Sequence, residues 1–506
     1  MTKLTEELAQ HLKKNSNREF LKDERMNKWF TGKQIEEDIT KLQKIFSAAN
    51  MGSGDIAFMC LENSAAYIPI NQALWRLGVT AHPVSESTSD VELVKDFREN
   101  HYAAIIFNAS RAEVFSNFTE LDKNTVQLHT FDNLVILTRN DLSICNKEMV
   151  PNEQSYGWIL NTSGTTGKPK KVGLTHEIML KAAHYDLESH RLNEDDTVLI
   201  IMPMFHINAQ ELIVVSTLLS DGRLVIAPKF SASHFWQQVM ENDVTWSSVV
   251  PTIVSILLKN EKTLAQFDPN HKLRFVRCAS AMLPVSRHKK FVKKFGVPLL
   301  EGYGMTESCS QCTLNPLDNI KIGSVGKPYH TDVAIIDEDD FTDAPGVHGE
   351  IAIRGDHVIT TYLDPHPDSF KDGWFLTGDL GYFDEEGYLW LEGRSKDVIN
   401  HGGEKVSPSV VEDVLGNLDF IKQVAVVGLP DDLYGEVVAA AVIDDKNDSE
   451  NQAEHRQRII DYAATHLAKY RRPTEIFFLN EFPLNATRKI LRPKLAEILQ
   501  EKRSVK

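Results

Sequence analysis

Five short apolar runs, separated by longer amphipathic stretches, constrain the fold of this chain more than any other feature. They lie between residues 196 and 310 and comprise Val198–Met202, Leu224–Ala227, Ser247–Val250, Phe275–Cys278 and Pro298–Glu301. Runs of this length are typical of buried strands, and the stretches between them are long enough to form helices. Strands that alternate with helices predict a parallel sheet with right-handed crossovers. Because such sheets bind ligands at the carboxyl ends of their strands, we expect functional residues there.

Other regions predict different local structure. Residues 1–50 have the pattern of an amphipathic helix with polar breaks, and residues 100–140 alternate short apolar runs with polar connections, as α/β proteins do. After residue 330 the pattern changes to short strands separated by turns, with a hairpin signal at Asp384–Gly387. The stretch from Lys396 to Gly403 is polar and rich in glycine, and a smaller β/α unit follows it.

Length and composition limit the class of protein. A chain of 506 residues exceeds the size at which single cores stop growing, so we expect at least two domains, residues 1–394 and 395–506. The formal net charge of −16 argues against nucleic acid as a partner, because nucleic-acid binding depends on neutralising phosphates. No apolar stretch is long enough for a membrane span, and no secretory signal is recognisable at the start. These features predict a cytoplasmic protein.

The sequence contains a Cys-x-x-Cys motif formed by Cys309 and Cys312. This spacing occurs in redox pairs and in half of a zinc site. However, no second cysteine pair or histidine pair at ligand spacing accompanies it, so we favour a structural role for both cysteines. Five cysteines in a chain of this length fit a reducing compartment.

The segment Asn161–His176 is the clearest candidate for a binding site. Apolar residues precede it, and it is rich in glycine, serine, threonine and lysine. A strand that opens into such a loop presents backbone N–H groups, hydroxyls and cations to an anion, which predicts polyphosphate binding. The segment is not a Walker A motif, because only two residues separate Gly164 from Gly167 and Pro169 follows Lys168. A flexible surface loop is the alternative for this segment taken alone.

The loop resembles the phosphate-binding segment of the adenylate-forming enzymes, a family that includes acyl-CoA synthetases, aryl-CoA synthetases, luciferases and peptide-synthetase adenylation domains. Further segments resemble those of the family in the same chain order: Tyr303–Glu307, Gly349–Gly355, Thr377–Asp379, Gly393–Asp397 and Pro483–Lys489. The resemblance implies an α/β fold. It consists of a large N-terminal domain of parallel sheets with helices plus a distorted β-barrel, and a small, mobile α+β C-terminal domain.

The resemblance also implies roles for individual residues. On the nucleotide side it implies that Tyr303 offers a flat face to adenine, Thr306 bonds a phosphate oxygen and Glu307 binds Mg²⁺ and is counted among the catalytic residues. Asp379 and Arg394 would bind the ribose of ATP. The loop residues expected to contact the β- and γ-phosphates are Ser163, Thr165, Thr166 and Lys168.

The C-terminal domain carries two further expected sites. Lys489 matches the lysine that binds the carboxylate and the α-phosphate in the transition state. Lys396 matches the hinge about which this domain rotates after the adenylate forms. Gly402 and Gly403 would then line a tunnel for the thiol of coenzyme A, where pantetheine needs a close approach to the backbone. A simple hairpin turn is the alternative for Gly402-Gly403.

On the acid side, His206 matches a residue that borders the substrate carboxylate, and Ser280 and Ala281 match contacts near adenine and the acid. Several stretches resemble the oxalate–CoA ligase branch, which usually carries His-Gly where this chain has Asn208-Ala209 and a histidine where it has Ser310. Other departures from the family are Lys171, Thr361 and Arg488, each at a position that is usually glycine.

The resemblance predicts an AMP-forming acyl-CoA synthetase that uses ATP, Mg²⁺ and coenzyme A. Its substrate would be a small carboxylic acid, with oxalate first and a short or medium fatty acid or an aryl acid as alternatives. Two other functions remain open. One is an adenylation protein that loads a separate carrier protein, and the other is a nucleotide-binding protein that has lost catalysis.

Overall fold

The computed structural model describes residues 1–141, 150–162, 170–338, 340–444, 449–484 and 490–504. In this part of the chain there are thirteen α-helices: α1 Lys3–Lys14, α2 Gly32–Ala48, α3 Tyr67–Arg76, α4 Asp90–Glu99, α5 His176–Ser189, α6 Ser216–Leu219, α7 Phe235–Glu241, α8 Pro251–Lys259, α9 Glu261–Ala265, α10 Val285–Phe295, α11 Pro408–Leu415, α12 Ser449–His466 and α13 Arg492–Ser504. A π-helix, Asn208–Val215, leads directly into α6. Short 3₁₀ turns lie at Thr306–Ser308 and Ser395–Asp397.

The described residues also form the following strands: β1 Glu19–Asp23, β2 Lys28–Thr31, β3 Ile56–Cys60, β4 Thr80–Val84, β5 Ala104–Asn108, β6 Leu121–Val126, β7 Leu134–Arg139, β8 Tyr156–Thr162, β9 Lys170–Thr175, β10 Thr197–Ile200, β11 Arg223–Ile226, β12 Trp246–Val249, β13 Phe275–Cys278, β14 Leu299–Tyr303, β15 Thr313–Leu314, β16 Lys327–Pro328, β17 Asp332–Asp337, β18 Asp340–Thr342, β19 Gly349–Arg354, β20 Phe370–Lys371, β21 Trp374–Phe383, β22 Leu389–Arg394, β23 Ile399–His401, β24 Glu404–Val406, β25 Ile421–Asp431, β26 Gly435–Asp444 and β27 Glu475–Phe478.

The parallel sheet predicted for residues 196–310 is present. Its nine strands follow the order β16-β15-β14-β13-β12-β10-β11-β1-β2, and the five strands β11, β10, β12, β13 and β14 are parallel to one another. Buried side chains from the sheet and from the helices that pack against it fill the core, among them Trp236 of α7, Trp246 of β12 and Phe275 of β13. The carboxyl end of β14 carries Tyr303, as expected for a ligand-binding edge.

The prediction of an amphipathic helix for residues 1–50 is wrong in its middle part. Helices α1 and α2 flank a hairpin of β1 and β2, and β1 joins the nine-stranded sheet as a parallel neighbour of β11. Helix α2 begins after Thr31, which caps it: the Thr31 side chain accepts a hydrogen bond from the Gln34 backbone N–H. The strand between the helices is stabilised by pairing with a segment that lies far away in the sequence, which a local pattern does not report.

A second sheet has seven strands in the order β6-β7-β5-β3-β4-β8-β9. It includes β5 and β7, which match the apolar runs of residues 100–140 and pair antiparallel. Strands β8 and β9 are also antiparallel neighbours, with Thr162 opposite Lys170, so residues 163–169 connect two adjacent strand ends. Those loop residues lie outside the described part of the chain.

The region expected to be a distorted β-barrel is a six-stranded antiparallel sheet. Strands β18, β17, β19, β21 and β20 lie side by side in this order. Strand β22 pairs with residues 379–383 of β21. Asp379 of β21 lies opposite Arg394, the last residue of β22.

The C-terminal unit has its own sheet, formed by β24, β23, β26, β25 and β27, and its helices pack against it. Two clusters of buried apolar residues within 399–499 form its core, whereas the buried apolar residues that form the other clusters all precede residue 390. Contacts between the two units include a hydrogen bond of 3.1 Å from Lys259 Nζ of α8 to the backbone oxygen of Ile421.

Candidate active site

Three of the residues predicted to bind nucleotide meet around one carboxylate. The Tyr303 hydroxyl donates a hydrogen bond of 2.8 Å to Asp379 Oδ2, and Arg394 Nε lies 2.8 Å from Asp379 Oδ1. Tyr303 and Asp379 are both buried, with 7% and 9% of their surfaces exposed. Burial, followed by the charge of Asp379, raises the pKa of the Tyr303 hydroxyl, so this hydroxyl remains a hydrogen-bond donor.

The backbone around Asp379 explains why its side chain points to Tyr303. The pairing of β19 with β21 shifts register between Glu350 and Ala352, and such bulges redirect side chains. Gly378 adopts a left-handed φ of 71°, and its N–H donates to Glu350 Oε1 at 2.9 Å. The Thr377 hydroxyl accepts a hydrogen bond from the Asp379 N–H at 3.1 Å and donates to the Ile351 carbonyl at 2.7 Å. The Thr-Gly-Asp segment therefore orients the carboxylate through its own backbone.

Glu307 forms a second acidic position close to the first. It lies in the 3₁₀ turn that follows Tyr303, is 8% exposed, and accepts a hydrogen bond of 2.7 Å from the Tyr362 hydroxyl. Burial raises the pKa of the Glu307 carboxyl, and the Tyr362 hydrogen bond together with the charges of Arg394 and Lys170 offsets this only in part. The influence of Arg394 on both Glu307 and Asp379 indicates that the two acidic positions are close neighbours.

The two lysines that begin β9 point in different directions, as successive residues of a strand do. Lys170 Nζ lies 4.6 Å from the ring centre of Tyr362 and donates to Ser369 Oγ at 3.0 Å. Lys171 Nζ donates to Asn100 Oδ1 at 2.6 Å, at the carboxyl end of α4. Lys170 therefore belongs to the Glu307 site. Lys171, one of the departures from the family, ties the end of the loop to α4.

The predicted acid-side residues occupy loops at the ends of β10, β13 and β14. His206 precedes the π-helix, and its carbonyl accepts hydrogen bonds from the N–H groups of Ala209 and Gln210 at 3.2 and 3.1 Å. Ser280 and Ala281 are exposed in the loop after β13, where Ser280 has a φ of 74°. Ala209 itself is completely buried.

The segment after Tyr303 turns sharply at Gly304. A Cβ atom at this glycine would lie 1.8 Å from the backbone oxygen of Ser310, so no larger residue fits there. The turn brings Ser310 against Gly304, and Cys309 and Ser310 both have positive φ values. Cys309 and Cys312 are fully buried and unbridged, and burial raises the pKa of Cys312 to about 12. These features fit the structural role expected for the Cys-x-x-Cys motif.

In the C-terminal unit, Gly402 and Gly403 form the two-residue turn of the β23–β24 hairpin. Their φ values of 62° and 91° are those of a turn in which both central residues need the left-handed region. The Gly402 N–H donates to the Tyr434 carbonyl at 2.8 Å, and a Cβ atom at Gly402 would approach the Tyr434 ring to 3.1 Å. The hairpin is therefore built from glycine for steric reasons of its own, whatever it binds.

The structure thus unites Tyr303, Asp379, Arg394 and Glu307, with Thr306 next to Glu307. Expected site residues outside the described part of the chain are Ser163, Thr165, Thr166, Lys168 and Lys489. Tyr362 and Lys170 are neighbours of Glu307 that were not predicted from the sequence. Nothing in their spacing marks them, because Tyr362 belongs to a loop that reaches Glu307 only in the folded chain.

The described residues provide few possible ligands for a metal ion. Among them, no group of three or more His, Cys, Asp or Glu side chains is placed to hold a metal ion. A single buried carboxylate such as Glu307 suits Mg²⁺, which commonly takes one or two protein carboxylates and completes its shell with phosphate oxygens and water. The site therefore fits Mg²⁺ that arrives with a polyphosphate. The described residues do not provide a metal centre built from protein ligands alone.

Comparison with known proteins assigns the chain to a family. The AMP-binding enzyme family matches residues 8–363, and the AMP-binding enzyme C-terminal domain matches residues 410–489. A probable CoA ligase, CCL9 of Humulus lupulus, is 33% identical over 487 residues, covering 92% of this chain and 91% of that protein. The oxalate–CoA ligase of Arabidopsis thaliana is 31% identical over 481 residues, covering 91% of each.

Solved structures share the fold of this chain. The anthranilate CoA ligase AuaEII in complex with anthranoyl-AMP has a TM-score of 0.86 at 21% identity, over 98% of this chain and 96% of that one. The o-succinylbenzoate CoA synthetase of Bacillus subtilis, in complex with ATP and magnesium, has a TM-score of 0.80 at 25% identity, over 97% and 98% of the two chains.

The protein belongs to the AMP-binding enzyme family, and within it to the AMP-forming CoA ligases, a class of acid–thiol ligases that uses ATP, Mg²⁺ and coenzyme A. The predicted fold class, with its large and small domains, is confirmed. Within the described ranges, no helix is both long and apolar enough to cross a membrane.

Proposed function

We propose that this enzyme joins a small carboxylic acid to coenzyme A through an acyl-adenylate. The observation that carries the proposal is the pairing of two acidic positions, Asp379 held by Tyr303 and Arg394, and Glu307 held by Tyr362. One position suits ribose hydroxyls and the other suits the cation that accompanies phosphates. Their proximity matches a bound nucleotide, which presents its sugar and phosphates within a few bonds of each other.

We infer that Asp379 accepts the ribose hydroxyls. Tyr303 donates a hydrogen bond to one oxygen of its carboxylate and Arg394 forms an ion pair with the other, and each oxygen retains acceptor capacity for a hydroxyl. The existing contacts prevent the side chain from rotating, so little conformational entropy is lost on binding. The ring of Tyr303 is fixed by the same hydrogen bond and offers a face for adenine.

We infer that Glu307 holds Mg²⁺, which supplies Lewis-acid stabilisation of phosphate charge when bound. Burial disfavours the free carboxylate, so Glu307 gains more from binding a cation than an exposed acid would. Tyr362 directs one oxygen of Glu307, and Lys170 adds positive charge beside it. Thr306 lies next to Glu307 and would bond a phosphate oxygen.

The remaining roles rest on the resemblance of the sequence to the family. We propose that Ser163, Thr165, Thr166 and Lys168 bind the β- and γ-phosphates. Lys489 would stabilise the charge that develops between the acid carboxylate and the α-phosphate, a contribution typically worth about 10²–10³ in rate.

We propose that residues 395–506 rotate about Lys396 between the two half-reactions. The separate apolar cores of the two units support this division, as does the short 3₁₀ turn Ser395–Asp397 that joins them. The Gly402-Gly403 turn would line the thiol path after rotation. A cytoplasmic location is our proposal as well, and the free, buried cysteines among the described residues are consistent with it.

We propose a small acid as the substrate, bordered by His206 and by contacts from Ser280 and Ala281. The relative from Arabidopsis thaliana is named for oxalate, which keeps oxalate as the first candidate. However, Asn208 and Ser310 replace the two histidines expected of that branch, which removes two groups suited to a second carboxylate. A monocarboxylic acid, aliphatic or aromatic, is the alternative.

The decisive experiment incubates the purified protein with ATP, Mg²⁺, coenzyme A and one acid at a time from oxalate, malonate, butyrate, hexanoate and benzoate. AMP and thioester are measured together. We expect equal amounts of both with at least one acid. AMP formation without thioester would indicate a separate carrier protein as the acceptor, and ATP binding without AMP would indicate that catalysis has been lost. The Asp379→Ala variant is the negative control.

A further inference from the structure

Two buried carboxyl groups and one buried guanidinium lie behind the acid side of the site. Asp186 of α5, Glu211 of the π-helix and Arg277 of β13 are each exposed by no more than 1%. They come from three elements that are distant in sequence, and α5 packs directly against the π-helix. Charged residues are almost never buried this completely without a partner.

The two carboxyl groups face each other. Neither oxygen of Asp186 or of Glu211 accepts a hydrogen bond from any N–H or O–H donor in the described residues, and the side chains interact with each other. Two carboxylates in contact cannot both stay ionised in a buried site, and a single shared proton turns their repulsion into a hydrogen bond. Burial raises the pKa of both groups, that of Glu211 well above its usual range.

Arg277 completes the charge balance. Its charge acts on both carboxyl groups, and a Cβ atom at Gly302 would lie 3.2 Å from Arg277 Nη2, so this glycine leaves room for the guanidinium beside Tyr303. Two carboxyl groups that share one proton carry one negative charge, which one guanidinium neutralises. The other titratable groups nearby stay neutral, because burial lowers the pKa of His190 to about 3 and raises that of Cys309.

Glu211 belongs to the element that presents the acid-side residues. The π-helix starts two residues after His206, and the His206 carbonyl accepts hydrogen bonds from its first turn. A π-helix is rare and has poorer backbone geometry than an α-helix, so it depends on tertiary contacts. Gln210 provides one such contact, accepting a hydrogen bond of 2.7 Å from Asn71 Nδ2 of α3. Glu211, the next residue, provides the contact on the α5 side.

We propose that protonated Glu211 donates a hydrogen bond to the Asp186 carboxylate and thereby positions the π-helix, and with it His206 and Asn208, for the acid substrate. Glu211 is then a positioning residue that never touches the acid. The claim about acid binding rests on the proposed function, whereas the claim about the shared proton stands without it.

The test uses variants that separate charge from hydrogen bonding. Glu211→Gln keeps a donor toward Asp186 and leaves the net charge unchanged, so we expect it to behave as wild type. Glu211→Leu removes the donor. The double variant Asp186→Asn/Glu211→Gln leaves Arg277 without a counter-charge, and adding Arg277→Met removes that charge again. Asp38→Asn is the matched control, because Asp38 is buried but accepts its hydrogen bonds from the distant residues His129 and Thr130.

Two measurements are made on each variant: the KM values for acid and for ATP with the best acid of the panel, and hydrogen–deuterium exchange of residues 206–215 without ligands. For Glu211→Leu we expect the acid KM to rise about tenfold, the factor expected for one buried hydrogen bond to a charged group, with faster exchange and an unchanged ATP KM. The rise in acid KM of the double variant should exceed the product of the rises in its two single variants. Adding Arg277→Met should return the acid KM toward the wild-type value.

Specific results would overturn the proposal. If Glu211→Gln were as damaging as Glu211→Leu, Glu211 would not act as a proton donor. If Glu211→Leu left the acid KM and the exchange of residues 206–215 at their wild-type values, as we expect for Asp38→Asn, its role would be structural and not one of positioning. If no acid of the panel reacted, the proposed function would fail, and the exchange measurements and the Arg277→Met rescue would still decide whether the carboxyl pair shares a proton.

Discussion

The substitution Tyr362→Phe tests the metal position most directly. It removes one oxygen atom, the donor of the 2.7 Å hydrogen bond to Glu307 Oε1, and leaves the ring. The ring contacts with His366, Phe370 and Phe375, and the position of Lys170 over its face, are therefore retained. Any change in activity then reports the hydroxyl group alone.

The size of the effect follows from the surroundings of Glu307. A hydrogen bond to a buried charged group is worth about 1.5–3 kcal/mol, which corresponds to about 10–150-fold. Glu307 is only 8% exposed, so water replaces the hydroxyl poorly, but the charges of Arg394 and Lys170 remain. We therefore expect the lower end of this range, about a tenfold loss of kcat/KM for the Mg²⁺–ATP complex.

The pH dependence of the activity provides an independent test of the contact between Tyr362 and Glu307. Glu307 must be ionised to bind Mg²⁺, so activity falls as the pH decreases through its pKa. Burial raises this pKa, and the Tyr362 hydroxyl is one of the groups that lower it again. Removing the hydroxyl therefore raises the pKa of Glu307 further, and the acidic limb of the pH–rate profile should move to higher pH.

The assay is acid-dependent exchange of pyrophosphate into ATP, measured over a range of Mg²⁺ concentrations and pH. Tyr388→Phe is the matched control, because Tyr388 is also buried and donates to a backbone carbonyl, that of Asn319, outside the site. If Tyr362→Phe had the Mg²⁺ dependence and acidic limb of wild type, Tyr362 would not direct Glu307, and the assignment of Glu307 to the metal would lose its main structural support.

Three further predictions concern the two half-reactions and the acid side. Lys489→Ala should abolish acid-dependent pyrophosphate exchange but still convert supplied acyl-adenylate to thioester; equal loss of both would contradict a role limited to adenylation. Lys396→Pro restricts φ at the hinge, so adenylate formation should persist while thioester formation falls by orders of magnitude, as their ratio in single-turnover assays would show. A folded variant that makes thioester at the wild-type rate would refute rotation at Lys396. The resemblance makes Ala209 a pocket position, where alanine in place of glycine would make the pocket shallower, so Ala209→Gly should extend the chain length of the accepted acids in the substrate panel; an identical acid profile would remove Ala209 from the pocket.

The nucleotide side of the site could be predicted from the sequence because its residues lie in short contiguous segments. Tyr303–Glu307 follows a strand, and Thr377–Asp379 turns within one, so local backbone geometry places each group at a sheet edge. The structure adds the hydrogen bond from Tyr303 and the ion pair with Arg394 that hold Asp379 between them. The nucleotide-binding roles of these residues remain predictions, and the phosphate loop and Lys489 lie outside the described part of the chain.

Lys171 illustrates a departure whose meaning depended on the structure. The sequence shows a lysine where the family usually has glycine, and it does not show whether the ammonium group faces the nucleotide. The alternation of side chains along β9 directs Lys170 toward Tyr362 and Lys171 toward Asn100. Lys171 therefore points away from the site to which Lys170 belongs.

The sequence by itself determined the family and the parallel sheet of residues 196–310, and it predicted the acidic residues of the nucleotide site, because strand periodicity and the motifs at strand ends are local properties. Only the tertiary structure decided which strand β1 pairs with, that Tyr362 binds Glu307, and that Asp186 and Glu211 are both buried where α5 packs against the π-helix. Each of these contacts joins segments far apart in the chain. Their energies come from pairing and burial between those segments, and no local pattern in either partner records them.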